Sequence, residues 1–251
     1  MKNAIVYACY LVNSWQTIVS EQLDRIFSSL TVLKGGEVFI CASGKEEEYL
    51  KLLQLVNGRK AQISFHQDTR FSCEAYGLLK IYELSESNYD YVGYLHAKGV
   101  TKLNKSEHVE SCIENWRKCM EYYVLDKSET CIQSMHISNK NCAGVMFDCL
   151  QLFHNKLTHF EFFVSKYHNF IFPGNFFWVK CSWFRQQERP VLTEDYFYYE
   201  RFIGYCKGVN PYYLWIRKYS GFGGHMMYVE KINESEYKKI TFMNSKIKGL
   251  L

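Results

Sequence analysis

Asp90-Tyr91-Val92-Gly93-Tyr94-Leu95-His96-Ala97-Lys98-Gly99-Val100-Thr101 begins as an apolar and aromatic run and turns abruptly into histidine, lysine and glycine. The first half has the character of a buried strand, and the second half reads as the place where that strand ends. In open α/β sheets, ligands settle beyond the carboxyl ends of the strands, where the rigid sheet stops and loops converge. Position alone therefore makes His96 and Lys98 candidate functional residues.

Upstream, strand and helix patterns alternate. Ala4–Tyr10 reads as a buried strand, and Trp15–Leu30 carries Ile18, Val19, Leu23, Ile26, Phe27 and Leu30 at helical spacing. Gly35-Gly36 punctuates the chain before a second strand, Glu37–Ala42, which ends in Ser43-Gly44 and leads to a helix over Glu46–Val56. Ala61–Phe65 is a third short strand and Glu74–Ser85 a third helix, so the opening stretch is the fourth strand. Parallel strands need crossover connections, and crossovers bring helices. The fold class expected is α/β, a mainly parallel Rossmann-like central sheet flanked by helices on both faces, in a single domain.

Composition narrows the function. A chain of 251 residues with 47% hydrophobic content can bury a substantial core. The 30 basic and 26 acidic residues leave a net charge of only +4, which argues against a nucleic-acid binder. No apolar run is long enough to cross a bilayer and no N-terminal signal pattern stands out, so a cytoplasmic protein is expected. The 10 cysteines include no Cys-x-x-Cys pair and read as reduced, mostly buried thiols. No Gly-x-Gly-x-x-Gly follows the first strand and no Walker-type loop occurs, which excludes the usual dehydrogenase and P-loop readings.

Downstream, Glu107–Leu125 and Ser128–Met135 read as helices, Cys142–Asp148 as a strand, and Leu152–Tyr167 as an aromatic-rich helix. Pro173-Gly174-Asn175 marks a turn set among aromatic residues. Thr193 is a candidate N-cap for a helix over Tyr196–Tyr205, with Glu194 and Asp195 in the first turn where the helix dipole favours acids. The remainder carries a Gly-rich turn, Gly221-Phe222-Gly223-Gly224, and a basic tail with Lys231, Lys238, Lys239, Lys246 and Lys248.

This order of elements, with Leu95-His96-Ala97-Lys98-Gly99 at the strand end, resembles glycosyltransferases of the GT-A fold. It resembles more narrowly a group of bacterial polysaccharide and lipopolysaccharide transferases that carry a Leu-His-x-Lys-Gly segment and a later Gly-Asn-x-x-Trp segment. Gly174-Asn175-Phe176-Phe177-Trp178 matches the second, and Glu200-Arg201-Phe202-Ile203-Gly204 resembles a Glu-x-aromatic-Ile-Gly segment beyond it. The resemblance covers roughly residues 4–205. It implies a nucleotide-sugar-binding half over about residues 1–100, an acceptor and catalytic half over 101–210, and a C-terminal extension over 211–251.

The resemblance also assigns roles. Most GT-A enzymes hold Mn²⁺ or Mg²⁺ with an Asp-x-Asp, and here the corresponding segment is His96-Ala97-Lys98. Departure of a nucleoside diphosphate develops negative charge that either a metal or protein cations must stabilise. Lys98, with His96 and the following Gly99, is expected to bind the diphosphate without a divalent metal. An inverting transfer needs a carboxylate base, and Asp195 and Glu200 are the two candidates. Residues five apart on a helix lie about 140° apart around its axis, so only one of them is expected to serve; a retaining reaction would remove the assignment. Gly174, Asn175, Trp178 and Glu194 are expected around the sugar or acceptor, and Tyr7, Tyr10 and Glu74 around the nucleotide.

The function expected is transfer of a sugar, with a UDP-sugar the favoured donor, to a hydroxyl of a surface polysaccharide or lipopolysaccharide. Partners are the donor and a lipid-linked or free glycan acceptor; the basic tail reads as a solvated charged surface, with contact to the inner face of the membrane as the alternative. A non-catalytic nucleotide-sugar or glycan-binding domain is the alternative, which would bind donor without turnover. Nucleic-acid binding would show itself by a steep salt dependence.

Overall fold

The computed structural model describes residues 1–67, 71, 73–102, 105–148, 174–218 and 232–238. The anticipated helix over 152–167, the turn over 221–224 and Lys231, Lys239, Lys246 and Lys248 lie outside them. Four strands follow the apolar runs closely: β1 (Asn3–Leu11), β2 (Glu37–Gly44), β3 (Ala61–His66) and β4 (Tyr91–His96). Three more, β5 (Cys142–Asp148), β6 (Phe177–Lys180) and β7 (Pro211–Lys218), complete a seven-stranded sheet in the order β3-β2-β1-β4-β6-β5-β7. Every pairing is parallel except those of β6, which runs antiparallel to both β4 and β5. The expected α/β class with a mainly parallel central sheet is therefore what the chain forms.

Helices cover both faces, as crossovers require. On one face α1 (Trp15–Ser28), α3 (Glu46–Val56), α5 (Glu107–Glu121) and α6 (Ser128–Ile137) bury Val19, Leu23, Leu52, Trp116, Met120 and Met135 against Ile5, Tyr7 and Leu95. On the other, α4 (Cys73–Ser85) buries Leu78 and Ile81 against Ala4, Val6 and Tyr94. Successive strand residues thus feed opposite cores, which is why β1 and β4 read as continuous apolar runs instead of alternating ones. Burial of each such large side chain contributes roughly 1.5–3 kcal/mol.

Helix α4 lies very close to the sheet. Gly77 permits this, since a Cβ there would stand 2.6 Å from Cε2 of Tyr94 and 3.1 Å from Cβ of Ala8. The approach brings the first turn of α4, and Glu74 with it, over the end of β4.

Several helix ends differ from the sequence expectation. The helix from Trp15 stops at Ser28 because Ser29 is extended, and the Ser29 hydroxyl accepts from the Val32 amide to start the short α2 (Leu30–Leu33). The helix from Glu107 widens into a π turn over Tyr122–Asp126. Two short helices, α7 (Cys181–Phe184) and α9 (Glu234–Lys238), flank α8 (Tyr196–Tyr205) in chain order. The nine described cysteines are free thiols, eight of them buried. No helix among the described residues is long and apolar enough to cross a membrane.

Candidate active site

The carboxyl ends of β1, β2 and β4 lie side by side, with His96 in register with Ala8 and Tyr10 with Ser43. His96 is the last residue of β4 and is 6% exposed. Its Nδ1 lies 3.0 Å from Oε1 of Glu74, which is itself buried at the start of α4. The other Glu74 oxygen accepts from the Asn175 amide at 2.6 Å, and the same amide nitrogen reaches the Tyr199 carbonyl at 3.4 Å. Glu74, His96, Asn175 and the backbone of α8 thus form one buried chain of contacts.

Burial alone would raise the pKa of Glu74. The His96 ring, the Asn175 amide and the nearby Lys98 cation outweigh burial and hold it below the ordinary carboxylate value. A carboxylate this deep persists as an anion only when so partnered. His96 Nε2, by contrast, is buried and has no hydrogen-bond partner among the described residues. Phe176 presses edge-on against the ring at 5.4 Å between centroids, and Tyr94 is tilted to it at 6.3 Å.

The turn before β6 explains how Asn175 arrives there. Gly174 and Asn175 both have left-handed backbones, with φ of 85° and 58°. Glycine takes such a conformation freely and asparagine tolerates it better than most residues. Gly174 also packs where a Cβ would stand 2.4 Å from the Met120 sulfur, so no larger residue fits without displacement.

Beyond His96 the chain turns through Lys98 and Gly99. Gly99 has φ of 103°, and the Lys98 amide donates to the His96 carbonyl at 2.7 Å. The Lys98 ammonium stands 4.3 Å from the centre of the Trp116 ring, a cation–π contact that orients it. Lys98 and Gly99 also border a hollow of about 220 Å³ whose walls include Glu21, Glu110, Glu114 and Arg117.

A second buried network holds this turn from beneath. Gln22 donates to the His96 carbonyl at 3.2 Å and to Glu121 at 2.9 Å, and accepts from the Tyr7 hydroxyl at 2.8 Å. Arg117 and Arg25 both donate to the Glu121 carboxylate, at 3.0 and 2.7 Å. Asn13 donates to the Val100 carbonyl at 2.8 Å, tying the loop after β1 to the loop after β4. Sequence reasoning passed over Gln22, Arg117 and Glu121. The signal was there: Gln22 sits within the apolar stripe of α1, three residues after Val19, and a buried polar residue in such a stripe needs partners.

The expected site residues divide between the strand end and the core. Tyr7 does not face a nucleotide: it is fully buried mid-strand with its hydroxyl on Gln22. Glu74 does not present a free carboxylate to a ribose, since its two oxygens meet His96 and Asn175. Trp178 does not line a sugar pocket, being fully buried with its indole N–H on the Val124 carbonyl at 2.8 Å. Asn175 is buried too, and supports Glu74 from inside. Thr193 is not the N-cap, because α8 starts at Tyr196 and the Thr193 hydroxyl instead accepts from the Asp195 amide at 3.2 Å. Tyr10 is half-buried at the end of β1, Gly174 is in the turn above, Glu194 and Asp195 are exposed before α8, and Glu200 is half-buried on it. His96, Lys98, Glu74, Asn175 and α8 are brought together; Tyr7 and Trp178 belong to the core.

Among the described residues, no three His, Cys, Asp or Glu side chains converge as a metal-ligand set. The chemistry the geometry offers is that of an imidazole and an ammonium at a strand end, with one buried carboxylate behind them.

No protein-family model and no curated protein matches the chain. Among solved structures, the galactosyltransferase LgtC in complex with donor and acceptor sugar analogs is similar at 8% identity and a TM-score of 0.40, over 83% of this chain and 72% of that one. S. aureus TarS in complex with UDP-GlcNAc is similar at 9% identity and a TM-score of 0.45, over 96% of this chain and 64% of that one. Glucosyl-3-phosphoglycerate synthase from Mycobacterium tuberculosis, in complex with Mn²⁺, UDP and phosphoglyceric acid, is similar at 9% identity and a TM-score of 0.37, over 72% and 56%. These are distant likenesses of architecture.

Proposed function

We propose that the protein is a glycosyltransferase of GT-A type that takes a sugar from a nucleoside diphosphate donor, with a UDP-sugar favoured, and transfers it to a hydroxyl of a surface glycan. The observation that carries this reading is the imidazole and the ammonium at the carboxyl end of β4: His96, whose buried Nε2 has no hydrogen-bond partner among the described residues, and Lys98, oriented over Trp116. A leaving nucleoside diphosphate gains negative charge as the glycosidic bond breaks, and preorganised cations at that position lower the barrier. In this reading Lys98 and His96 do what a divalent metal does in related chemistry, and transfer proceeds without one.

The acceptor hydroxyl loses its proton to a carboxylate, Asp195 or Glu200, one of which serves as base in an inverting reaction. The hydrogen bond from Asn175 to the Tyr199 carbonyl supports this, because it ties α8 to Glu74 and so to the same strand end. Gly99 gives the diphosphate loop its turn, and Tyr10 and Glu194 border the donor and acceptor sides. A peripheral contact with an anionic membrane carrying a lipid-linked acceptor is part of the proposal.

The test is a screen of UDP-, GDP-, dTDP- and CMP-sugars for release of the nucleotide, with and without a crude glycan acceptor, in buffer containing EDTA. Release from one donor class, lost in Lys98→Ala, is expected. Tight binding of a donor with no release under any condition would sink the enzyme reading in favour of a binding module.

A further inference from the structure

The imidazole of His96 has one nitrogen engaged and one bare. Nδ1 faces a carboxylate, which only accepts, so the Nδ1 proton is directed at Glu74 and the ring orientation is fixed by it. Nε2 is buried with no partner among the described residues. Folded proteins rarely leave such an atom unsatisfied, and an unpaired one commonly marks a place where a ligand or water belongs. The second oxygen of Glu74 is held by the Asn175 amide, which also reaches the Tyr199 carbonyl.

Glu74 comes from α4 and Lys98 from the loop of His96 itself, while Asn175 stands behind Glu74 and shares the Tyr199 carbonyl of α8. Tyr94 and Phe176 also contact the ring. The buried Nε2 is where a hydrogen bond to an incoming anion can form.

We propose that Glu74 and Asn175 are positioning residues that hold His96 with Nδ1 toward the protein and Nε2 toward a phosphate oxygen of the ligand. Because the Nδ1 proton is committed to Glu74, donation from Nε2 requires a second proton: the ring takes one from solvent and binds the anion as imidazolium. A buried charge of this kind is sustained by Glu74 on one side and the anion on the other. The proposal rests on the reading of this strand end as a diphosphate site and extends it to the residues that set the state of His96.

The experiment uses the full chain labelled with ¹⁵N-histidine, titrated with inorganic pyrophosphate and with UDP in EDTA, with His96 assigned by its loss in His96→Asn. The expected result is that Nδ1 carries a proton throughout and that Nε2 moves to an imidazolium-type shift on binding. In Glu74→Gln, pyrophosphate and UDP should bind at least about tenfold more weakly, the loss expected of a charge-assisted hydrogen bond, and the preference for the Nδ1 proton should disappear. Glu74→Asp should restore part of both. The proposal is overturned if neither probe moves Nε2, if the free protein carries the proton on Nε2 instead of Nδ1, or if Glu74→Gln binds both probes as the wild type does. If Glu74→Gln does not fold, the wild-type titration still decides. A shift of Nε2 in a protein that transfers no sugar would keep this proposal and reject the enzyme reading.

Discussion

Glu74 and His96 come from different elements, the first turn of α4 and the last residue of β4, and meet through Oε1 and Nδ1 at 3.0 Å with both side chains buried. A carboxylate and an imidazole are not placed together at that depth for stability alone, because their desolvation offsets most of the attraction. The pair gives the strand end a fixed imidazole backed by negative charge, and the loop that follows adds Lys98.

Lys98 should matter to turnover far more than to stability. Its contact with Trp116 is worth about 0.5–1 kcal/mol at a partly exposed site, and its charge also acts on Glu74, so Lys98→Ala should lower stability modestly. Nucleotide release should nevertheless fall by about 10²–10³, the usual loss when one preorganised charge-stabilising group is removed. Steady-state kinetics beside urea melts separate the two. Unaltered kinetics would remove Lys98 from the site.

Acid should weaken the fold through Glu74. Its folded pKa lies below the ordinary value of 4.5, so it contributes stability above that value and loses it as pH falls through the folded pKa. Wild-type stability should therefore drop below about pH 4.5, and part of that slope should be missing in Glu74→Gln. Urea midpoints measured from pH 7 to pH 3 read the difference directly; parallel curves would contradict the account.

Trp178 should behave as a core residue. Trp178→Phe removes the hydrogen bond to the Val124 carbonyl and leaves a gap, which should cost about 1–3 kcal/mol. Donor KM in the folded variant should stay within about twofold, since a residue that touches no ligand contributes no binding energy. A large rise in KM at unchanged stability would return Trp178 to the sugar pocket.

Gly77→Ala should destabilise by about 1–3 kcal/mol by overpacking, because the added Cβ meets the fully buried Tyr94 ring. Tyr94 neighbours His96, so the variant should also disturb the His96 resonances. Thermal melts and the same ¹⁵N spectra check both effects.

β1, β2 and β4 were legible because each is a short run buried on both faces, the half-buried edge strand β3 because it is a short β-prone run, and helices at 3.6-residue spacing separate them. Strand β7 was not, since Pro211–Lys218 becomes a strand through its distant pairing with β5. The break at Ser29 and the π turn at Tyr122 were missed for a related reason: the apolar spacing runs on through both. In the site, His96 and Lys98 were legible from position at a strand end. The Asn175–Glu74 bond was not, because two left-handed residues and a close helix–sheet approach bring together groups far apart in sequence. For Trp178 the sequence left the core and the sugar pocket equally open, because an aromatic beside a Gly-Asn turn looks the same whether it is buried or faces a ligand.

The central claim is that a nucleoside diphosphate is bound at the end of β4 by protein cations. Calorimetric titration of UDP into wild type and Lys98→Ala, each in EDTA and then in excess Mn²⁺, tests it most directly. The account predicts wild-type binding of equal strength in both buffers and binding at least about tenfold weaker in Lys98→Ala. Binding seen only with Mn²⁺, or binding that the substitution leaves unchanged, would contradict it.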